Sequence, residues 1–372
     1  MTAQDGRPEL ARVLMTVDAV GGVWRYGLDL ALGLRSKGVE TVFAAFGPRP
    51  SSEQVREAES IGSFVWLDAP LDWLVEDEEA LKQVPRLLDD LIKRENIDLV
   101  HLNLPSQAVG LETSVPVVVV SHSCVVTWFA AVRGQTVPNE WQWQFRLNYK
   151  GFDRADAVLS PSHSHAAMLR RAYGPIDGLQ VVYNASPVAA RTRDKEDFVF
   201  AAARWWDDGK NGVILDAAAG QIKWPLVMAG ACHGPNGQYL PIRNAVHRGE
   251  LAHTDAMAMM ARAAIVASPS VYEPFGLVAL EAARSGSALV LADIPTYGEL
   301  WDGAALFAEP REPRAFVDAI NRLSRDVSLR TTLAEEALVR SEKYSLEAQA
   351  DAVMALYLRL LSANRPALTA AE

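Results

Sequence analysis

A chain of 372 residues is long enough for two domains of ordinary size, and its 49% hydrophobic and 22% charged composition suits a soluble globular protein. A net charge of −10 excludes wholesale nucleic-acid binding. No apolar run approaches the roughly 20 residues that span a bilayer, and the opening MTAQDGRPELAR lacks a signal-peptide core, so the expectation is a cytoplasmic protein.

In chain order, residues 12–17 read as a first strand. Gly21-Gly22 follows as a turn needing positive φ, and then a helix runs from Val23 to about Lys37, stopped by Gly38. A second strand covers Glu40 to Phe46, a helix starts near Ser52, and a strand lies near Phe64 to Leu67. The acidic-to-basic stretch 77–94 reads as one helix, and strands recur at 98–102, 115–121 and 157–160. Strands alternating with helices predict a mainly parallel sheet covered on both faces.

The pattern restarts at Asp197–Arg204, a strand running into a loop. Helix 212–220, strand 225–229, a short strand at 246–248, helix 254–262, strand 264–268, helix 277–285 and strand 288–292 make a second α/β unit. The polar stretch from Asn184 to Lys195 has linker composition and sets a boundary near 190. Apolar residues recur at helical spacing from Leu346 to Leu361, and Ser362 to Glu372 reads as a frayed tail.

The most informative stretch is Glu273-Pro-Phe-Gly-Leu-Val-Ala-Leu-Glu281. Pro274, Phe275 and Gly276 interrupt the pattern between a buried strand and an apolar helix. Strand, Gly/Pro loop, helix is the order at which open α/β sheets bind ligands. The N–H groups at the helix mouth favour an anion, above all a phosphate. One carboxylate before the helix and one along it suit hydroxyl-rich groups on either side of that phosphate, as in a sugar nucleotide.

Here the residues carry a likeness. Residues 267–286, ASPSVYEPFGLVALEAARSG, resemble the carboxylate motif of the family 4 retaining glycosyltransferases with the GT-B fold, and the element order is similar across nearly the whole chain. The resemblance implies two Rossmann-like domains facing each other across a cleft: 1–190 for the acceptor and 191–344 for the nucleotide sugar. It implies that the last helix, within 345–372, crosses back onto the first domain.

It also implies roles. Arg204 and Lys210, in the loop after the first strand of the second domain, would hold the pyrophosphate and stabilise the departing nucleoside diphosphate. Backbone N–H groups from Phe275 to Leu277 would assist them. Glu273 would bind donor-sugar hydroxyls and Glu281 the ribose. His122, at the end of an apolar strand, would hydrogen-bond the donor sugar. The implied catalytic set is His122, Arg204, Lys210 and Glu273. The implied donor-binding set adds Gly21, Gly22, Pro274, Phe275, Gly276, Leu277 and Glu281. At least one of Trp24, Arg25 and Tyr26 would reach the cleft. His101 and Asn103 are lesser candidates. Glu299 matches a family Glu on a loop behind the donor, and Tyr272 either walls the donor pocket or packs. Ser162 or Ser164 N-caps a helix without chemistry.

No residue stands out as a covalent nucleophile. Asp207-Asp208 is adjacent rather than spaced as Asp-x-Asp. Cys124 and Cys232 are far apart and fit no metal spacing, and Cys232-His233 reads as a strand-end loop. Neither a disulfide nor an essential metal is expected, and the sugar nucleotide is a co-substrate rather than a cofactor. Partners are that donor and an acceptor that is a glycan, a lipid-linked sugar or a small molecule. The stretch 126–154, with Trp128, Trp141, Trp143, Arg146, Lys150 and Arg154, suits a glycan, a stacked sugar, the inner face of a membrane, or simply an amphipathic helix with half-buried indoles. Two rival readings stay open: a sugar-nucleotide epimerase of similar fold, and a non-catalytic sugar-nucleotide-binding subunit.

Overall fold

A computed structural model describes residues 10–190 and 194–363; part of the expected linker and most of the expected tail lie outside the described residues. The chain forms two compact units. The first holds the residues up to Thr127, Thr136–Ala185 and the chain from Leu346; the second holds Trp128–Gln135 and Ser186–Ser345. Trp128–Gln135 and residues 186–190 therefore fall in the second unit rather than in the expected 1–190 domain.

In the first unit β1 (Arg12–Asp18), β2 (Glu40–Phe46), β3 (Ser63–Trp66), β4 (Leu99–Leu102), β5 (Val117–Val120), β6 (Ala157–Ser160) and β7 (Leu179–Val181) form a parallel sheet in the order β3-β2-β1-β4-β5-β6-β7. The central strands are apolar on both faces because both are covered; all four valines of β5 are buried. Helices α1 (Gly22–Arg35), α2 (Ser52–Glu59), α3 (Val84–Arg94), α5 (Gln142–Arg154) and α6 (His163–Tyr173) accompany them, and a single turn, α4 (Val125–Trp128), leads out of the unit. Stretch 77–94 is not one helix. A 3-10 turn at Glu78–Leu81 precedes α3, whose second residue is Pro85, a residue tolerated in a first turn but not in a helix interior.

The last helix, α13 (Leu346–Ala363), belongs to the first unit. Its Val353, Leu356 and Tyr357 join one apolar cluster with Leu28, Leu30 and Leu34 of α1. The two helices approach so closely at Gly33 that a Cβ there would stand 2.8 Å from the Cβ of Ala350.

In the second unit β8 (Glu196–Ala202), β9 (Leu226–Ala229), β10 (Val246–His247), β11 (Ala263–Ser268), β12 (Ala288–Ala292) and β13 (Leu306–Ala308) form a parallel sheet ordered β10-β9-β8-β11-β12-β13. Around it lie α7 (Gly212–Ala219), α8 (His253–Arg262), α9 (Leu277–Arg284), α10 (Pro295–Trp301), α11 (Pro313–Arg325) and α12 (Val327–Ser341). Trp205, Tyr297, Trp301, Phe200 and Phe316 are the large side chains that fill its core.

Candidate functional site

The second sheet has a switch point. From β8 the chain goes to β9 on one side, while β11 pairs with the other side of β8. A crevice forms where connections diverge beyond parallel strand ends. Both singled-out loops lie there, one after β8 and one after β11. They are joined along their backbones: Val271 N–H donates to Gly209 O at 2.9 Å, and Tyr272 N–H donates to the same oxygen at 3.3 Å. The Asn211 side-chain amide donates to Pro269 O and to Pro310 O, and Asn211 itself is left-handed, at φ 56°.

This joining brings Lys210 Nζ to 2.6 Å from Glu273 Oε2. Both side chains are mostly buried, at 18% and 15% exposure, so the pair is weakly screened. Arg204 is more open. It lies over the Trp206 ring and 3.8 Å from Asp207 Oδ2. Asp207 in turn accepts from Gly209 N–H and from Trp128 Nε1, and Arg133 pairs with Asp208. The Trp128–Gln135 segment is thus anchored on the Arg204–Lys210 loop, a contact that sequence spacing gives no means of finding. A pocket of about 540 Å³ opens beside it, lined by Arg133, Trp205, Asp207, Asn211, Val271 and Arg311.

At the start of α9, Gly276 adopts φ 93° and caps the helix without a side-chain hydrogen bond. The first-turn N–H groups there have no cap side chain to satisfy them. A Cβ on Gly276 would lie 2.8 Å from the Tyr297 ring and 3.2 Å from Glu273 Cγ. Tyr297 is buried, with its hydroxyl 2.6 Å from Ser268 Oγ. Burial first, and then the charge of Glu273, raise its pKa well above the usual range. Pro274 and Phe275 are buried and Leu277 is half-buried. Phe275 meets Tyr344 edge to face. Glu281 is buried within α9 at 6% exposure. Glu299 lies on α10 rather than on a loop, and Tyr272 is buried.

The first unit gathers a second set of residues around its own switch point, between β1 and β4. Gly21 is extended at φ −154° and caps α1, and Gly22 opens that helix. Neither glycine takes the positive φ expected of the turn. Trp24 and Tyr26 are buried. Arg25 is held by Asp29 and Glu57, at 2.9 and 2.7 Å. His101 is fully buried between two phenols: its Nδ1 lies 2.6 Å from Tyr357 Oη and its Nε2 3.3 Å from Tyr26 Oη. Burial, opposed by the Asn103 side chain, lowers its pKa to about 3. His122 stands two residues past β5, partly exposed, with Nε2 2.9 Å from Asn103 Oδ1. Burial, and then His101 and His165, push its pKa below the ordinary range.

Other candidates resolve structurally. Ser162 Oγ accepts from His165 N–H and caps α6. Cys232 has His247, not His233, as its neighbour, with Sγ 3.4 Å from Nε2. Among the described residues no group of three His, Cys, Asp or Glu side chains could hold a metal ion. Residues 126–154 divide among several elements: Trp143 is buried, Trp128 and Trp141 are half-buried, and Arg154 donates to backbone oxygens of Leu111 and Thr113. No helix among the described residues is long and apolar enough to cross a membrane.

Comparison with known proteins agrees with this geometry. The model of Glycosyltransferase Family 4 matches residues 20–188, and that of Glycosyl transferases group 1 matches residues 207–340. A stretch of 51 residues is 53% identical to the glycogen synthase of Mycobacterium tuberculosis, covering 14% of this chain and 12% of that protein. Likeness in fold runs further. Sucrose-phosphate synthase from Thermosynechococcus elongatus superposes with a TM-score of 0.79 at 18% identity, over 95% of this chain and 100% of the other. Anabaena HepE, in complex with UDP and glucose, gives 0.73 at 17% identity, over 93% and 99%. The fold is GT-B, and the chain belongs to glycosyltransferase family 4.

Proposed function

We propose that this chain moves a sugar from a nucleoside diphosphate sugar to an acceptor hydroxyl, with retention at the anomeric carbon, in glycan assembly. UDP-glucose is the first donor to test, because a structural relative binds UDP and glucose. The observation that carries the reading is the convergence of Arg204, Lys210 and the start of α9, which has no side-chain cap, at one switch point, with Glu273 bonded to Lys210.

As the bond from the anomeric carbon to the diphosphate breaks, negative charge gathers on the leaving group. Lys210, Arg204 and the first-turn N–H groups of α9 stabilise it. Glu273 accepts hydrogen bonds from donor-sugar hydroxyls while holding the Lys210 ammonium in place, and Glu281 takes the ribose. His122 contacts the donor sugar. The diphosphate assists in taking the proton from the acceptor hydroxyl on the same face. These cations do the work that a divalent ion does elsewhere, and the proposed reaction is independent of metal. The acceptor is a glycan, a lipid-linked sugar or a small molecule; a lipid-linked one would draw Trp141, Arg146 and Lys150 to the inner face of a membrane.

Thermal shift against UDP, GDP, ADP and their glucose and mannose conjugates tests the reading. A bound nucleotide sugar raises the midpoint as its concentration exceeds Kd. No shift with any of them overturns it.

A further inference from the structure

We infer that Asn103 is a positioning residue that holds His122 as the Nε2-protonated tautomer, so that His122 presents Nδ1 as a hydrogen-bond acceptor to a hydroxyl of the donor sugar; the second half of this inference rests on the function proposed above.

Thr16 in β1 fixes the Asn103 amide. Its Oγ1 accepts from the backbone N–H of Asn103 at 2.8 Å, and its carbonyl accepts from Asn103 Nδ2 at 2.5 Å. Turning the amide over would set Oδ1 against that carbonyl, two acceptors with no proton between them. Nδ2 is therefore committed to Thr16, and Oδ1 is the atom that meets His122 Nε2 at 2.9 Å. An amide oxygen only accepts, so Nε2 carries the proton.

A pKa pushed below the ordinary range favours the neutral ring at pH 7. The shift follows from burial and from His101 and His165 nearby. A neutral imidazole protonated at Nε2 has a bare lone pair at Nδ1. The Tyr26 ring stands edge-on at 4.2 Å between centroids, and Tyr26 Oη meets His101, so the imidazole plane is braced from α1 as well as from β4. Such a side chain at a strand end discriminates. Nδ1 accepts from a hydroxyl but repels the oxygens of an ionised pyrophosphate, which have no proton to give. It therefore favours a hydroxyl over the pyrophosphate oxygens.

The same logic governs metal-bound histidines, where a partner on one ring nitrogen fixes what the other can do. Here the partner is an amide, and the ligand is a hydroxyl.

Two measurements on the full chain test this. In a two-bond proton–nitrogen correlation spectrum of histidine-labelled protein at neutral pH, His122 is identified by its loss in His122→Gln. A protonated Nε2 and a bare Nδ1 are expected; a proton on Nδ1, or on both nitrogens, overturns the inference without any folding question. In calorimetry, Asn103→Leu is expected to weaken UDP-glucose about tenfold, the worth of one hydrogen bond, while UDP binds unchanged. His122→Phe, which leaves the Thr16–Asn103 contact intact, is expected to show the same split. Equal binding of UDP-glucose by wild type and both variants overturns the positioning role. If wild type binds none of the UDP, GDP or ADP sugars, the sugar contact fails together with the proposed function, and the spectrum alone still decides the tautomer; if it binds one other than UDP-glucose, that sugar nucleotide and its free nucleotide replace UDP-glucose and UDP in the same comparison.

Discussion

Lys210 and Glu273 lie 63 residues apart in sequence and 2.6 Å apart in space, each on the loop that follows one of two adjacent parallel strands. The resting protein thus keeps a cation in place for a phosphate by giving it a carboxylate partner. The same carboxylate stays at hand for hydroxyls on the next group along the donor.

Removing either partner is expected to stop transfer with UDP-glucose. Lys210→Ala loses a charge that acts on the leaving group, a loss of about 100-fold or more in kcat, and Glu273→Ala loses both a sugar contact and the lysine's anchor. Circular dichroism should remain that of the wild type. In urea unfolding, the double variant is expected to be more stable than the sum of the single losses predicts, by about 0.5–3 kcal/mol, because each single variant leaves a largely buried charge unpaired.

Gly276→Ala is expected to destabilise the protein by about 1–3 kcal/mol, since a side chain at φ 93° is strained and its Cβ meets the Tyr297 ring at 2.8 Å. Nucleotide-sugar binding should weaken with it, because Gly276 shapes the approach to α9. Denaturant titration and calorimetry read the two effects separately.

His101 gives a pH-dependent signature. Its folded pKa of about 3 lies below the ordinary value of 6.5. Between those limits the unfolded chain binds the proton and the folded chain does not, so the stability that the neutral ring contributes is complete above pH 6.5 and drains away as pH falls. The deficit of His101→Gln relative to wild type should therefore be largest near pH 7. It should shrink on acidification by up to about 1.4 kcal/mol per pH unit. A deficit that stays flat from pH 7 to pH 4 would contradict the assigned burial.

Transfer is expected to survive excess EDTA without loss, because Arg204 and Lys210 supply the positive charge. Restoration of lost activity by magnesium or manganese, but not by calcium, would show instead that an ion shares that task.

Much of the fold is legible along the chain because fully buried parallel strands announce themselves. Runs such as Val117–Val120 and Ala263–Ser268 have no solvent-facing positions to blur them. The edge strand Leu179–Val181 carries no such signal, being three residues long and only partly buried. The break in stretch 77–94 falls just before Pro85, which stands in the first turn of α3, and one proline does not by itself say where a helix begins. Within the site, each loop is readable by itself, but the contact between Lys210 and Glu273 depends on strand order, which no local pattern encodes. The arrangement around His122 is harder still. Thr16, Tyr26, His101, Asn103 and Tyr357 meet there from strands and helices spread over most of the chain, and 256 residues separate His101 from Tyr357. Trp128 reads as part of a basic aromatic surface, yet Asp207 engages it.

The placement of α13 has a consequence for synthesis. Val353, Leu356 and Tyr357 complete an apolar core whose other members lie between Leu10 and Leu159. During translation α1 stays uncovered until α13 has left the ribosome, whereas the six strands between Glu196 and Ala308 can close without it. Birth order and completion order are therefore reversed, and a chain stalled before α13 would leave its earlier-made unit, not its later-made one, exposed to chaperones.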